Sequence, residues 1–231
     1  MSPARLQEWM TVFSRHLPAR RPLSLLDLGS GTGRLTPALA AAFGGPVTGV
    51  EPSGKMLAQA VSNAAYPNVT YLAGSGESIP LPTASCDAAL VYFVWHHVAD
   101  RPAAAHELHR VVRPGGRLLV RTNLSDRMPD AWWYRWLPRA REVDRQMYQP
   151  LDAVVADFAA AGWSWSTLDE VETAALTIRE DFERLRVRAL STFEHLPGDV
   201  IEEGLAAIEA ALPRMGDRPV ATGGDLLVFE R

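Results

Sequence analysis

Segment 25–33 reads Leu-Leu-Asp-Leu-Gly-Ser-Gly-Thr-Gly, and it constrains the fold of this chain more than any other feature. An apolar run ends beside an acid and continues into three glycines at alternate positions. Glycine lets a backbone take positive φ and approach a ligand closely. Residues 34–43 have helical character, so the free N–H groups of a helix N-terminus face the loop. The pattern predicts a strand, a glycine loop and a helix that hold a nucleotide-like ligand.

The residues inside the loop exclude two common classes of nucleotide site. A Walker loop requires Gly-Lys-Ser/Thr, which is absent from the chain. The dinucleotide fingerprint requires a third glycine where this chain has Arg34, and the last glycine comes one residue earlier, at Gly33. The carboxylate of Asp27 would repel a pyrophosphate, but it suits a ligand that carries an ammonium group.

A second acid, Glu51, ends the next predicted strand, eighteen residues after Gly33. At that position of nucleotide-binding α/β folds, a carboxylate accepts hydrogen bonds from both ribose hydroxyls. A glutamate there can also act only as a favourable charge at a helix N-terminus. Because the glycine loop precedes it, we interpret Glu51 as a ligand-binding residue.

Strand and helix patterns alternate through the first half of the chain, which predicts parallel pairing and right-handed crossovers. The second half is less regular. Strands are predicted at 23–28, 47–50, 69–73, 86–93, 117–122, 163–174 and 226–230, and helices at 6–16, 35–43, 52–65, 103–112, 150–161, 179–196 and 199–212.

Composition narrows the function classes. The 231 residues can form one well-cored domain, and the net charge of −4 argues against a nucleic-acid partner. The single cysteine, Cys86, cannot form an internal disulfide, which favours a reducing cytoplasm. Neither a signal peptide nor a membrane span is visible, so we expect no membrane partner.

Four pieces of sequence together resemble the class I S-adenosylmethionine-dependent methyltransferases, in particular the small-molecule enzymes of the ubiquinone/menaquinone type. They are the glycine loop, Glu51, the Gly-Ser-Gly-Glu-Ser-Ile-Pro-Leu-Pro run at 74–82, and the segment 108–120 around Pro-Gly-Gly. The resemblance implies an α/β fold: a Rossmann-like, doubly wound, seven-stranded mixed sheet in a three-layer αβα arrangement, with the last strand antiparallel. It also implies a helical cap over the substrate site.

The resemblance implies S-adenosyl-L-methionine as the cofactor and a set of residues that bind it. At Ser75 the family usually has an acid that binds the adenine amino group, and serine can accept the same hydrogen bond more weakly. The implied cofactor residues are Asp27, Gly29, Ser30, Gly31, Gly33, Glu51, Pro52, Met56, Ser75, Gly76, Glu77, Tyr92 and His97.

We expect one methyltransferase domain over 1–231, with a cofactor-binding half at 1–123 and cap elements at 124–150 and 179–212. Four tryptophans are predicted to contact the substrate: Trp95, Trp132, Trp133 and Trp136. The last three lie in an aromatic cluster after the fifth strand, where such side chains can form an apolar wall or simply pack the core of a lid.

Three side chains near the end of the fourth predicted strand are candidates for a general base: His97, His96 and Tyr92. A phenol or carbon acid as methyl acceptor requires such a base, whereas a carboxylate or free amine does not. No metal site is expected, because the pair His106 and His109 lacks both the metalloprotease spacing and a third ligand.

Two alternative functions remain open. A nicotinamide-dependent oxidoreductase shares the strand, the glycines and the strand-end acid, although the third glycine of its fingerprint is missing here. A binding module can keep the fold without turnover. About two dozen residues precede the first strand, a short arm that leaves the site open or lets a second subunit of a homodimer cover it.

Overall fold

The computed structural model describes residues 2–188 and 190–231, with seven strands and eight α-helices among them. The strands are β1 Leu23–Leu28, β2 Gly44–Glu51, β3 Val69–Ala73, β4 Cys86–Tyr92, β5 Val112–Arg121, β6 Ser164–Thr177 and β7 Pro219–Glu230. The helices are α1 Pro3–His16, α2 Thr36–Phe43, α3 Gly54–Asn63, α4 Arg101–Val111, α5 Pro138–Met147, α6 Leu151–Ala160, α7 Ile178–Arg186 and α8 Gly198–Met215. Short 3₁₀ helices cover Trp95–His97, Trp132–Arg135 and Ser191–His195.

The strands form a seven-stranded sheet in the order β3-β2-β1-β4-β5-β7-β6. Strands β1 to β5 pair in parallel, and β7 pairs antiparallel with β5. The order reverses direction at β1, so right-handed crossovers place the helices on opposite faces. This arrangement confirms the predicted doubly wound mixed sheet with an antiparallel last strand.

Several helix starts follow capping signals that are visible in the sequence. Ser53 and Asp100 accept hydrogen bonds from backbone N–H groups in the first turns of α3 and α4. Thr177 and Glu180 form a reciprocal capping box at the start of α7. Such caps satisfy N–H groups that have no partner within the helix.

Backbone contacts divide the chain into two compact units. The first unit runs through Thr122 and adds Asp152–Val171 and Gly224–Arg231. Its core is made by apolar side chains of the sheet, such as Leu25 and Leu90, together with Trp9 and Phe13 of α1. The buried carboxylate of Asp87 in β4 accepts a hydrogen bond from the N–H of Ser24 and forms ion pairs with Arg20 and Arg113.

The second unit comprises Asn123–Leu151 and Glu172–Gly223. It contains the predicted cap segments 124–150 and 179–212, within which Ala189 lies outside the described residues. Its core brings together Trp133, Phe182 and Ile208. A buried carboxylate, Asp144, accepts hydrogen bonds from Tyr134 at 2.5 Å and Thr192 at 2.6 Å.

In the second unit one sequence prediction is wrong, and one helix was missed. The single helix predicted over 179–196 ends at Arg186 and is followed after a gap by a 3₁₀ helix, and Arg188 between them has a φ of 51°. Positive φ at a non-glycine residue interrupts an α-helix. Helix α5 was not predicted, since its residues are strongly polar apart from one narrow stripe. Within the described ranges, every helix is too short or too polar to cross a lipid bilayer.

Candidate cofactor site

The glycine loop between β1 and α2 opens at one of its three glycines. Gly29, Gly31 and Gly33 have φ values of 69°, 57° and 76°. A Cβ at Gly29 would overlap the side chain of Val94, and a Cβ at Gly33 would lie 2.7 Å from that of Ala64. A Cβ at Gly31 would meet no atom within 4 Å. Neighbouring side chains fill the space beside Gly29 and Gly33, so a ligand can approach the backbone of the loop at Gly31.

The end of the neighbouring strand β2 holds this loop in place. The carbonyl of Val50 accepts hydrogen bonds from the N–H groups of Gly29 (2.8 Å) and Ser30 (3.2 Å). The carboxylate of Glu51 accepts one from the N–H of Gly31 at 2.9 Å. These bonds form because β1 and β2 are parallel neighbours with Leu28 opposite Val50, so both strands end at the same edge of the sheet.

Glu51 retains hydrogen-bonding capacity after it has bound the loop. One oxygen accepts from Gly31, and the other accepts from the N–H of Ser53 at 2.9 Å. A carboxylate offers about four lone-pair positions, and two of these remain. The side chain is buried. It can therefore accept hydroxyl groups of a ligand, and its assignment to a ribose stays a prediction.

Asp27 is a buried carboxylate without a cationic partner in the part of the chain that the structure describes. It is 2% exposed and accepts a hydrogen bond from the Thr36 hydroxyl at 2.7 Å. Burial raises the pKa of Asp27 to about 6; the hydrogen bond from Thr36 opposes this rise, and the charge of Glu51 adds to it. A buried carboxylate of this kind gains stability when a cationic group of a ligand arrives.

The loop after β3 contributes Ser75 and Gly76 to the same edge of the sheet. Gly74 donates to the carbonyl of Glu51 at 3.4 Å, which brings the loop beside β2. Gly76 is buried, and a Cβ there would lie 3.1 Å from that of Ala104 in α4. The glycine therefore allows the loop to pack closely against this helix.

The structure places Glu77 against the main chain. Its carboxylate accepts hydrogen bonds from the N–H groups of Ala99 and Asp100, both at 3.2 Å. The pKa of Glu77 is lowered mainly by hydrogen bonds from its own backbone N–H and from the Ser75 hydroxyl. Burial opposes this effect, and the bonds from Asp100 and Ala99 add to it. Glu77 therefore stabilises the turn at 75–78 and the start of α4.

Pro52 and Met56 follow Glu51 and lie at the surface. Pro52 is exposed, and Met56 in the first turn of α3 is 46% exposed. Large apolar side chains with that exposure are few among the described residues. Both side chains remain available to contact a flat, apolar part of a ligand held by Glu51.

The predicted base candidates lie at the carboxyl end of β4 and just beyond it. The ring of Tyr92 packs edge-on against Trp9 and Phe13 of α1, at centroid distances of 5.5 and 6.4 Å. His96 and His97 form part of a 3₁₀ helix, with rings 4.0 Å apart, and His97 is exposed. Their position agrees with the edge where parallel sheets bind ligands, and their catalytic role stays a prediction.

Two of the predicted substrate tryptophans belong to cores. Trp95 is 1% exposed and stacks on Phe158 at 4.4 Å. Trp133 is 6% exposed in the core of the second unit. Burial leaves little of either ring for a ligand, which argues against substrate contact at these two positions, and their role stays a prediction.

The other two predicted substrate tryptophans are partly buried. Trp132 donates its indole N–H to Asp181 at 2.9 Å and contacts Trp136 edge-on at 6.0 Å. Its polar group is thus already used within the second unit, which favours the alternative of core packing for Trp132.

Sequence reasoning missed three groups at this edge of the sheet. Thr36 binds Asp27, and its place in the first helical turn after the loop could have indicated this. Phe93 has a φ of 57°, a strained backbone conformation for a non-glycine residue, and no sequence pattern predicts it. Arg121 at the end of β5 is buried, with its guanidinium 4.4 Å from the ring centroid of Phe93.

Comparison with known proteins agrees with this geometry. The family described as "Methyltransferase domain" matches residues 26–120. The chain is 38% identical to the ubiquinone/menaquinone biosynthesis C-methyltransferase UbiE of Syntrophotalea carbinolica, over 49% of each protein. It is 32% identical to the UbiE protein of Methylobacterium nodulans, over 70% of each. The chain thus spans about half the length of the first of these relatives and a larger part of the second.

Solved structures share the fold. A protein described as a methyltransferase from an antibiotic biosynthesis pathway of Anabaena variabilis matches over 100% of both chains, with a TM-score of 0.80 and 22% identity. The [4+2]-cyclase SpnF matches with a TM-score of 0.64 and 18% identity, over 96% of this chain and 80% of that one. Proteins with this fold therefore catalyse more than one type of reaction, so the fold alone does not identify the reaction. From its sequence relatives, however, this chain belongs to the class I S-adenosylmethionine-dependent methyltransferases.

Proposed function

We propose that this protein transfers a methyl group from S-adenosylmethionine to a small-molecule acceptor. One observation supports this more than any other: the glycine loop opens at Gly31, with the carboxylates of Asp27 and Glu51 on the two strands that carry it. S-adenosylmethionine has an ammonium group at one end and a ribose diol near the other, and it carries no phosphate. These two acids are suited to such a ligand and would repel a pyrophosphate.

Each polar group of the site has a role in this proposal. Asp27 faces the ammonium group, and it has no competing cation in the described chain. Glu51 accepts the ribose hydroxyls with the lone pairs that Gly31 and Ser53 leave open. Ser75 and the backbone of Gly76 provide polar contacts for the adenine, and the exposed side chain of Met56 covers an apolar face.

The chemistry requires little from the protein beyond orientation. The bound donor supplies an electrophilic methyl group on a sulfonium, which is a good leaving group. The protein holds the donor in one pose and excludes water, and such positioning can account for ~7–11 kcal/mol of a barrier. If the acceptor is a phenol or a carbon acid, His97, His96 or Tyr92 accepts its proton.

The acceptor, the location and the assembly of the protein belong to the proposal as well. Two relatives are named C-methyltransferases of ubiquinone/menaquinone biosynthesis, which supports a small-molecule acceptor. We propose a cytoplasmic location because a lone cysteine is compatible with a reducing compartment. A homodimer is the proposed assembly, and light scattering of the purified protein tests it.

Calorimetry with S-adenosylhomocysteine tests the cofactor assignment, with NADH as the competing ligand. We expect micromolar affinity for the first and none for the second. Incubation with methyl-labelled donor and a small-molecule extract then tests turnover. Binding without transfer to any acceptor would favour a module that keeps the fold without methyl transfer, and failure to bind S-adenosylhomocysteine would refute the proposal.

A further inference from the structure

Behind the glycine loop, a tyrosine of the edge strand crosses the sheet. Asp27 of β1 lies opposite Gly49 of β2, and Gly49 lies opposite Tyr71 of β3. Residues in one lateral row of a parallel sheet point to the same face. A Cβ at Gly49 would lie 2.7 Å from Cδ1 of Tyr71, so only glycine on the middle strand lets the tyrosine lie across β2.

The hydroxyl of Tyr71 reaches the loop itself. A Cβ on Gly33 would overlap this hydroxyl, and Tyr71 donates a hydrogen bond to the carbonyl of Ala64 at 3.1 Å. Glycine is therefore required at position 33 by its positive φ and by the space that Tyr71 and Ala64 occupy. The hydroxyl is fixed between the loop and the C-terminal end of α3.

Electrostatics link the same hydroxyl to the Thr36–Asp27 pair. Burial raises the pKa of Tyr71; the nearby Thr36 hydroxyl opposes this rise, and the charge of Asp27 adds to it. Thr36 in turn donates to Asp27 at 2.7 Å. Ser30 adds a buried hydroxyl that has no hydrogen-bond partner in the described structure, 2.8 Å from a Cβ placed at Gly49. The polar side chains of Asp27, Thr36, Ser30 and Tyr71 thus lie together beneath the loop, with Tyr71 on the edge strand.

We propose that Tyr71 is a positioning residue for the methyl donor: its hydroxyl packs against Gly33 from behind and, through its bond to Ala64, holds the loop against the end of α3. The inference rests on the proposed function, because it concerns the same site. The hydrogen bonds that Val50 and Glu51 accept from the loop hold it on the side of β2. Tyr71 fixes its last glycine, so the loop is already ordered when the donor binds and less entropy is lost.

The variant Tyr71→Phe tests this inference, with Tyr66→Phe as its matched control. Phenylalanine keeps the ring over Gly49 and removes only the hydroxyl. Tyr66 is 43% exposed and precedes the same strand, and no described bond of its hydroxyl reaches the loop. We expect Tyr71→Phe to weaken S-adenosylhomocysteine binding about tenfold, the size of one lost hydrogen bond, and Tyr66→Phe to bind within twofold of the wild type.

The pH dependence of donor affinity separates a positioning role of Tyr71 from a general effect on stability. The pH midpoint of donor affinity should move to lower pH in Tyr71→Phe, because a loosened loop admits water to Asp27 beside Glu51 and Thr36. An unchanged midpoint would leave Tyr71 a purely structural residue and overturn the inference.

The inference and the proposed function can fail separately. If the wild type binds S-adenosylhomocysteine and Tyr71→Phe binds it equally well, the inference is wrong and the function stands. If the wild type does not bind, the proposed function is wrong. In the ligand-free protein, faster hydrogen exchange at the Gly31 and Gly33 amides of Tyr71→Phe supports the role of Tyr71 in holding the loop, and unchanged exchange contradicts it.

Discussion

Replacing Asp27 by asparagine should stabilise the ligand-free protein at neutral pH while it weakens donor binding. The carboxyl is 2% exposed, and its pKa is raised from 3.8 to about 6. An acid whose pKa is higher in the folded state binds its proton more tightly there. The free energy of unfolding therefore falls as pH rises from about 4 to about 6.

The size of the effect follows from the difference between the two pKa values. A difference of about 2 units corresponds to about 3 kcal/mol, at 1.36 kcal/mol per unit. Asparagine carries no charge, and its carbonyl can still accept the hydrogen bond from Thr36. The variant should therefore be up to about 3 kcal/mol more stable than the wild type at pH 7.5, and nearly equal to it at pH 4.

Urea unfolding of the ligand-free protein at both pH values measures this difference, with Asp87→Asn as the matched control. Asp87 is also buried, but Arg20 and Arg113 pair with it. Removing that charge deprives both guanidinium groups of their opposite charge and should destabilise the protein at pH 7.5. An Asp27→Asn variant that is less stable than the wild type at pH 7.5, or equally shifted at both pH values, would refute the reasoning.

Donor binding should change in the opposite direction. S-adenosylhomocysteine keeps the ammonium group, so its affinity for the wild type should increase as pH rises through about 6, where Asp27 ionises. Asp27→Asn should bind at least tenfold more weakly, as expected for a lost charge-assisted hydrogen bond, and without this pH dependence. Calorimetry between pH 5 and 8, from about 1 unit below that ionisation to about 2 units above it, reports both effects. An unchanged affinity would mean that Asp27 does not contact the ammonium group.

Three further predictions concern other positions. Gly31→Val should abolish S-adenosylhomocysteine binding in calorimetry, whereas Gly115→Val, with positive φ and the same open surroundings at a distant turn, should cost stability and keep binding. Glu51→Gln should weaken binding more than tenfold, because an amide accepts through one oxygen only; comparable affinity would contradict its assignment to the ribose. Asp144→Ala should destabilise the protein by about 2–4 kcal/mol in urea unfolding, since two buried hydroxyls lose their acceptor, and a neutral result would mean that water replaces it.

The parallel pairing of the first five strands was largely predictable from sequence, for a local reason. Alternation of strands and helices implies parallel pairing, and parallel strands bring their carboxyl ends to one edge. Asp27 and Glu51 each end or nearly end a strand, so their proximity follows from the pairing alone. Irregular segments were not predictable: Arg188 has positive φ within a helical pattern, and nothing local marks it.

The sequence by itself determined that a glycine loop lies between two strand-end acids, because the glycine pattern and the ends of the strands are set by residues close in the chain. Only the tertiary structure decided which side chains are left for a ligand. Trp95 is in the core, Glu77 binds main-chain N–H groups, and Tyr71 lies under Gly33 because Gly49 leaves it room. Burial and contact across strands depend on residues far apart in the chain, which no local pattern brings together.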